Sequence, residues 1–160
     1  MTMKVKIIAV LSVCTVFTMP VGAVAGFAAR ADDFRAAVYS GVSDLRQSCG
    51  VIGDDPLLTA AAQRHADDLA INGVEGGHIG SDGSSPRARI LDAGYIRPGN
   101  VSEIIYWGSG SHANPSAALE WWMQSPPHRA AILDCTFTAV GFAIAWARNT
   151  VIAVGDFAGR

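Results

Sequence analysis

Four times along this 160-residue chain a short polar residue stands directly before a proline: Asp55-Pro56, Ser85-Pro86, Asn114-Pro115 and Ser125-Pro126. Proline cannot continue a helix from its interior, but it suits the first turn, where its missing N–H is no loss. A preceding Asp, Ser or Asn supplies a side-chain oxygen for the orphan donors that follow. These four points predict helix starts at 56, 86, 115 and 126, and the segments between them must turn or extend. Behind Asp54 and Asp55 the apolar residues Leu58, Ala61, Ala62, His65, Ala66 and Leu69 recur at helical spacing until Asn72-Gly73. Pro86 to Ala93 is a short helix closed by Gly94, Pro115 to Gln124 carries Leu119, Trp122 and Met123, and the restart at Pro126 runs through Leu133. A further helix is expected over Asp33 to Gln47, from the spacing of Phe34, Val38, Val42 and Leu45.

Extended segments occupy what remains. Val101 to Trp107 alternates as a strand, with Val101, Glu103, Ile105 and Trp107 on one face. Ala139 to Ala147 and Thr150 to Phe157 pair as a hairpin through Arg148-Asn149. Helices first and a closing hairpin give an α+β fold: an antiparallel sheet covered by helices. Trp107-Gly108-Ser109-Gly110-Ser111 reads as a mobile loop with an aromatic anchor, suited to the lip of a cleft.

The N-terminus is of another kind. Lys4 and Lys6 precede an apolar run, Ile7 to Met19, and small residues follow. Residues 1–31 read as a signal peptide cut at Ala29-Arg30-Ala31, with Ala23-Val24-Ala25 as a second candidate triplet. The alternative is an uncleaved membrane anchor, since the apolar stretch is long enough to span a bilayer. Cys14 fits a lipoprotein site poorly, because Val13 stands where a small residue is needed. Residues 32–160 then form one domain, with no linker and no internal repeat. Lys4, Lys6 and Arg30 leave with the leader and no acid does, so the 12 basic groups fall to 9 against 14 acids. A lysine-free, acidic chain argues against nucleic acid and anionic lipid as partners. Cys49 and Cys135 remain, and an even pair in an exported chain reads as one disulfide, worth about 4 kcal/mol for so long a loop. Two buried thiols are the alternative.

Three titratable residues stand out. His78 lies among Gly76, Gly77 and Gly80, whose freedom suits a binding loop. Glu103 sits inside an apolar strand, where a carboxylate must be paired, hydrogen-bonded or metal-bound. It either faces His78 or His128, sits at an edge position where the strand end is solvated, or pairs with one of Arg87, Arg89 and Arg129. His128 opens a helix behind two prolines. Two imidazoles and a carboxylate can hold zinc or another divalent metal with an open position, or move a proton. His65 lies on an apolar stripe and reads as a hydrogen-bonded core histidine. No Gly-x-Ser-x-Gly, His-Glu-x-x-His or Cys-x-x-Cys pattern occurs.

Leu58 to Ala66, the loop Gly77-His78-Ile79-Gly80-Ser81-Asp82-Gly83, Arg89, Gly94-Tyr95, Glu103, the run Trp122-Met123-Gln124-Ser125-Pro126-Pro127-His128-Arg129 and Val140-Gly141-Phe142-Ala143 together resemble a bacterial member of the CAP superfamily of cysteine-rich secretory, antigen-five and pathogenesis-related proteins. The resemblance implies an α-β-α sandwich with a central antiparallel sheet, and a cleft lined by two histidines and acidic residues, matched here by His78, His128 and Glu103. Ser102-Glu103-Ile104 replaces the usual Gly-Glu-Asn, Pro127 replaces a frequent glycine, and the second cleft glutamate has no match; Asp82 is a possible stand-in. The resemblance implies a secreted or envelope-associated, monomeric binding module for a divalent metal, a small hydrophobic ligand or an envelope component. His78, Glu103 and His128 also admit a metal-dependent hydrolase of peptide or cell-wall substrate with Glu103 as catalytic base, and a non-catalytic structural envelope protein is the third reading. The alanine-rich composition suits an actinobacterial source.

Overall fold

The computed structural model describes residues 21–159. Lys4, Lys6, the apolar run and Cys14 lie outside them. Helix α1 spans Val21–Leu45 and a 3-10 turn follows at Gln47–Cys49. Then come strand β1 (Gly53–Asp54), helices α2 (Pro56–Asn72) and α3 (Pro86–Asp92), strand β2 (Val101–Ser109), a 3-10 turn at Gly110–His112, helices α4 (Pro115–Gln124) and α5 (Pro126–Leu133), and strands β3 (Phe137–Ala147) and β4 (Thr150–Gly159).

All four proline-marked starts hold. The Asp55 carboxylate accepts from the N–H groups of Leu57 and Leu58, Ser85 from Ala88, and Asn114 from Ala117. Ser125 makes no side-chain cap, because it is shared: its own N–H closes α4 on the carbonyls of Trp121 and Trp122. Helix α1 begins well before the expected Asp33, since the alanine-rich stretch from Val21 contains nothing that stops a helix. It ends two residues before the expected Gln47. Strand β2 outlasts its prediction, reaching Ser109, because each residue from Val101 to Ser109 pairs with β4. Among the described residues no helix is long and apolar enough to cross a membrane.

The sheet order is β1-β3-β4-β2. The long strands are antiparallel, as expected, but the two-residue β1 pairs parallel with β3, so the sheet is mixed. Helices cover both faces, giving the expected three layers. Phe34, Val38 and Val42 of α1 and Trp122 of α4 pack on Ile104, Phe142, Ile144, Val151 and Phe157. On the other face Ala62, Ala66 and Leu69 of α2 meet Ile105, Ala143, Ala145, Ile152 and Val154. Small residues on this side of β3 let α2 lie close: a Cβ on Gly141 would strike the backbone of Leu58 and Thr59. Cys49 and Cys135 form the predicted disulfide, Cα atoms 5.0 Å apart. Buried Arg46 sits beside it and donates to the carbonyls of Ile132, Asp134 and Phe137, tying the end of α1 to the chain before β3.

Candidate functional site

The site is built outward from Glu103. The register of the sheet sets Glu103 opposite Asp156 of β4, and both point to the α2–α3 face with Ile105 and Val154. The Glu103 side chain is 1 % exposed. One oxygen accepts from the Arg89 guanidinium of α3 at 2.6 Å, and the other accepts from Nδ1 of His78 at 2.8 Å. Arg89, equally buried, also donates to the carbonyls of Ser84 and His78, so one side chain fixes both the carboxylate and the glycine-rich loop. A carboxylate accepts only, so His78 carries its proton on Nδ1 and leaves Nε2 with a free lone pair. The His78 ring remains half exposed at the loop surface.

His65 of α2 lies beneath. It is fully buried and its Nε2 donates to the Gly77 carbonyl at 2.8 Å, the role expected of it. The same nitrogen is 3.8 Å from Glu103, so His65 also borders the site. Burial, only partly offset by the nearby Glu103 charge, pulls its pKa below the ordinary imidazole value.

Asp156 is the residue that sequence reasoning missed. It is wholly buried and neither carboxyl oxygen has a hydrogen-bond partner. Burial first, and the neighbouring Glu103 second, push its pKa well above the usual carboxyl range. One guanidinium cannot neutralise two carboxylates, so Asp156 is favoured as the neutral acid while Glu103 holds the ion pair. The available signal was one acid in the otherwise uncharged run Thr150–Gly159.

The predicted trio does converge. His78, Glu103 and His128 line one groove of about 410 Å³ together with Ser85, Ser102 and Arg87. His128 joins them from the start of α5. Its Nδ1 is buried with no partner, and burial followed by the nearness of His78 lowers its pKa. Both oxygens of Glu103 are hydrogen-bonded, one to Arg89 and one to His78. Of the readings left open for it, two are realised together, since it faces a histidine and pairs with an arginine, while its burial rules out a solvated strand end. Among the described residues no three His, Cys, Asp or Glu side chains gather in a metal-holding group.

Asp82 does not stand in for a second acid. It caps Ser84, pairs with Arg64 at 2.7 Å and borders a different groove, beside Asp68 and Ser81. Those bonds hold its carboxyl far below the usual range. Trp107 lies not on a loop but on β2, half exposed, away from the histidine groove.

The pattern of the cysteine-rich secretory protein family, CAP, matches residues 54–157, which hold every groove residue named above. No curated protein gives a significant match. Among solved structures, an outer surface protein of Borrelia burgdorferi superposes with a TM-score of 0.69 at 22 % identity, over 80 % of this chain and 93 % of that one. An extracellular SCP-domain protein of Bacillus anthracis gives 0.68 at 17 % identity, over 81 % of this chain and 41 % of that one. A cysteine-rich secretory protein of Staphylococcus aureus gives 0.62 at 13 %, over 81 % and 39 %. The chain thus spans about two fifths of the length of the last two.

Proposed function

The chain belongs to the cysteine-rich secretory protein (CAP) family, and from that premise we propose that it is an exported binding module whose groove holds its ligand on two imidazoles, His78 and His128. The observation that carries this reading is the 2.8 Å bond from His78 Nδ1 to Glu103. A carboxylate that fixes one ring nitrogen turns the other into an oriented donor, the arrangement that supports histidine at metal sites. His128 lines the same groove and supplies the second imidazole. Zinc or a similar divalent cation fits this pair, with water completing the coordination. The absence of a third protein donor makes the expected affinity weak. A bound ion would supply Lewis acidity.

The residues themselves favour binding over hydrolysis. A general base needs an oxygen that water can reach, and the Glu103 side chain is 1 % exposed, with its oxygens bonded to Arg89 and His78. Releasing one would leave Arg89 buried and unpaired. Arg87 and the imidazoles also make this groove less suited to a hydrophobic ligand than to a polar envelope component.

Calorimetric zinc titration tests the reading. Weak binding is expected, lost in His78→Ala and in His128→Ala, and falling on acidification, because only a neutral imidazole binds a cation. Affinity unchanged in both variants would remove the site.

Export rests on the leader-like N-terminus, and the described part of α1 bears on where it is cut. The Arg30 guanidinium lies 3.7 Å over the Trp146 ring, and Ala31 packs against the main core. A cut after Ala31 discards both contacts, whereas a cut after Ala25 keeps them. We therefore place processing at Ala23-Val24-Ala25. The intact mass of the exported chain should correspond to residues 26–160. A mass for 32–160 would refute this position, and an uncut chain would refute processing altogether.

A further inference from the structure

The second large hollow of the molecule lies at the other end of β2 and differs in kind. Tyr106, Trp107, Ser109, His112, Trp121 and Thr150 surround a pocket of about 470 Å³, within the size range of small-molecule sites, about 300–1,000 Å³. From Glu103 to Gly108 the strand advances five residues, about 17 Å, so the two hollows are separate. Trp107 and Trp121 are 48 % and 54 % exposed, while the neighbouring Trp122 is completely buried. Two indoles from different elements, β2 and α4, are thus left half bare around one hollow. Its walls are fixed: Tyr106 is buried, and its hydroxyl donates to the His112 carbonyl at 2.6 Å, tying the turn after β2 back onto the strand. Gly108 completes the wall, where a side chain would strike that hydroxyl and carbonyl.

The charge pattern narrows the occupant. The histidine groove contains Arg87 and Glu103, and the hollows around Arg64, Arg129 and Arg35 each carry a charged side chain; among the described residues the lining of the tryptophan pocket holds no Asp, Glu, Lys or Arg. A charged headgroup, phosphate or fatty carboxylate would therefore be desolvated here without a counter-charge. A purely apolar occupant would cover the Ser109 and Thr150 hydroxyls and the His112 imidazole and leave them unpaired. The remaining chemistry is a neutral ligand with flat C–H faces and hydroxyls around its edge. We propose that the pocket between Trp107 and Trp121 binds a neutral pyranose segment of a polysaccharide. The sugar's C–H faces stack on the indoles, and its hydroxyls bond Ser109, Thr150 and His112. This site does not depend on the histidine groove.

The test is titration of the protein with chitohexaose and with cellohexaose, followed by tryptophan fluorescence and by the indole N–H signals in NMR. At least one sugar should saturate at millimolar concentration, shifting the Trp107 and Trp121 signals and leaving Trp122 unmoved. Trp107→Ala and Trp121→Ala should each weaken binding about tenfold or more, with Trp→Phe recovering part of the loss. Both indoles are half exposed, so the variants should melt close to wild type, which separates lost binding from lost folding. No saturable shift with either sugar, equal affinity in both alanine variants, or tighter tryptophan-dependent binding of laurate than of both sugars would each overturn the assignment.

Discussion

The face of the sheet covered by α1, α4 and α5 is filled with rings, whereas the face covered by α2 and α3 is filled with small side chains and charge. On the first, Trp122 stacks on Phe142, Phe142 meets Phe157 edge-on, and Phe137 leans on Phe157. Its one buried charge among the described residues, Arg46, sits at the margin on backbone carbonyls. On the second, the alanines of α2 and β3 pack closely, and four buried polar groups, His65, Arg89, Glu103 and Asp156, lie together. The same strands serve both faces. Alternation along β2 and β4 sends Ile104 and Phe157 one way and Glu103 and Asp156 the other. The aromatic face provides a rigid floor, so the ionisable face can keep strained electrostatics aimed at one groove.

The sharpest way to break this contrast is to remove one member from each face. Arg89→Ala leaves Glu103 buried without its cation and should cost about 3–5 kcal/mol in urea or thermal unfolding. Phe142→Ala should cost a similar amount, about 3–5 kcal/mol, through the cavity it leaves. A second substitution then separates them. Arg89→Met combined with Glu103→Leu removes the ion pair as a unit and should regain most of the loss, since a buried pair is often worth no more than apolar side chains of like size. The Phe142 cavity has no comparable single partner whose removal restores stability. If Arg89→Ala costs less than about 1 kcal/mol, the guanidinium is not holding the carboxylate in the way described.

The contrast also explains what could be read in advance. The helix starts were legible because proline and its capping neighbour act locally, within a few residues. The aromatic face followed from the periodicity of Phe34, Val38 and Val42 and from the strand alternation. The groove was legible as three residues but not as a mechanism. Glu103 was conspicuous in its strand, yet whether Arg89 or His78 would reach it depended on how α3 and the loop fold back, and both do. Asp156 stayed hidden because its meaning is its register: opposite Glu103 it is the second acid beside one cation, and no local pattern encodes that pairing. The early start of α1 was missed for a different reason. A leader reading starts the domain at residue 32, while helix propensity continues through that boundary.

A smaller and more diagnostic effect belongs to Asp156 itself. Its pKa is raised in the folded chain, so folding favours its protonated form. Below the ordinary aspartate value, about 3.9, folded and unfolded chains both hold the proton. As pH rises past that value the unfolded chain releases it while the folded chain retains it, and stability falls until the folded group also ionises. Two histidines act with opposite sign: the lowered pKa values of buried His65 and half-buried His128 cost stability as pH falls below about 6.5. Asp156→Asn keeps the shape of the neutral acid and removes its titration. The variant should therefore match wild type near pH 3.5 to about 1 kcal/mol and gain on it steadily at higher pH, by on the order of 1 kcal/mol or more at neutrality. Its stability maximum should move to higher pH, because only the histidine and paired-carboxylate losses on the acid side remain. Urea unfolding of both proteins from about pH 3.5 to 8 measures the difference directly. A gap that stays constant across that range would mean that Asp156 ionises alike in the folded and unfolded chain, and that the two faces do not differ in their electrostatics as the register requires.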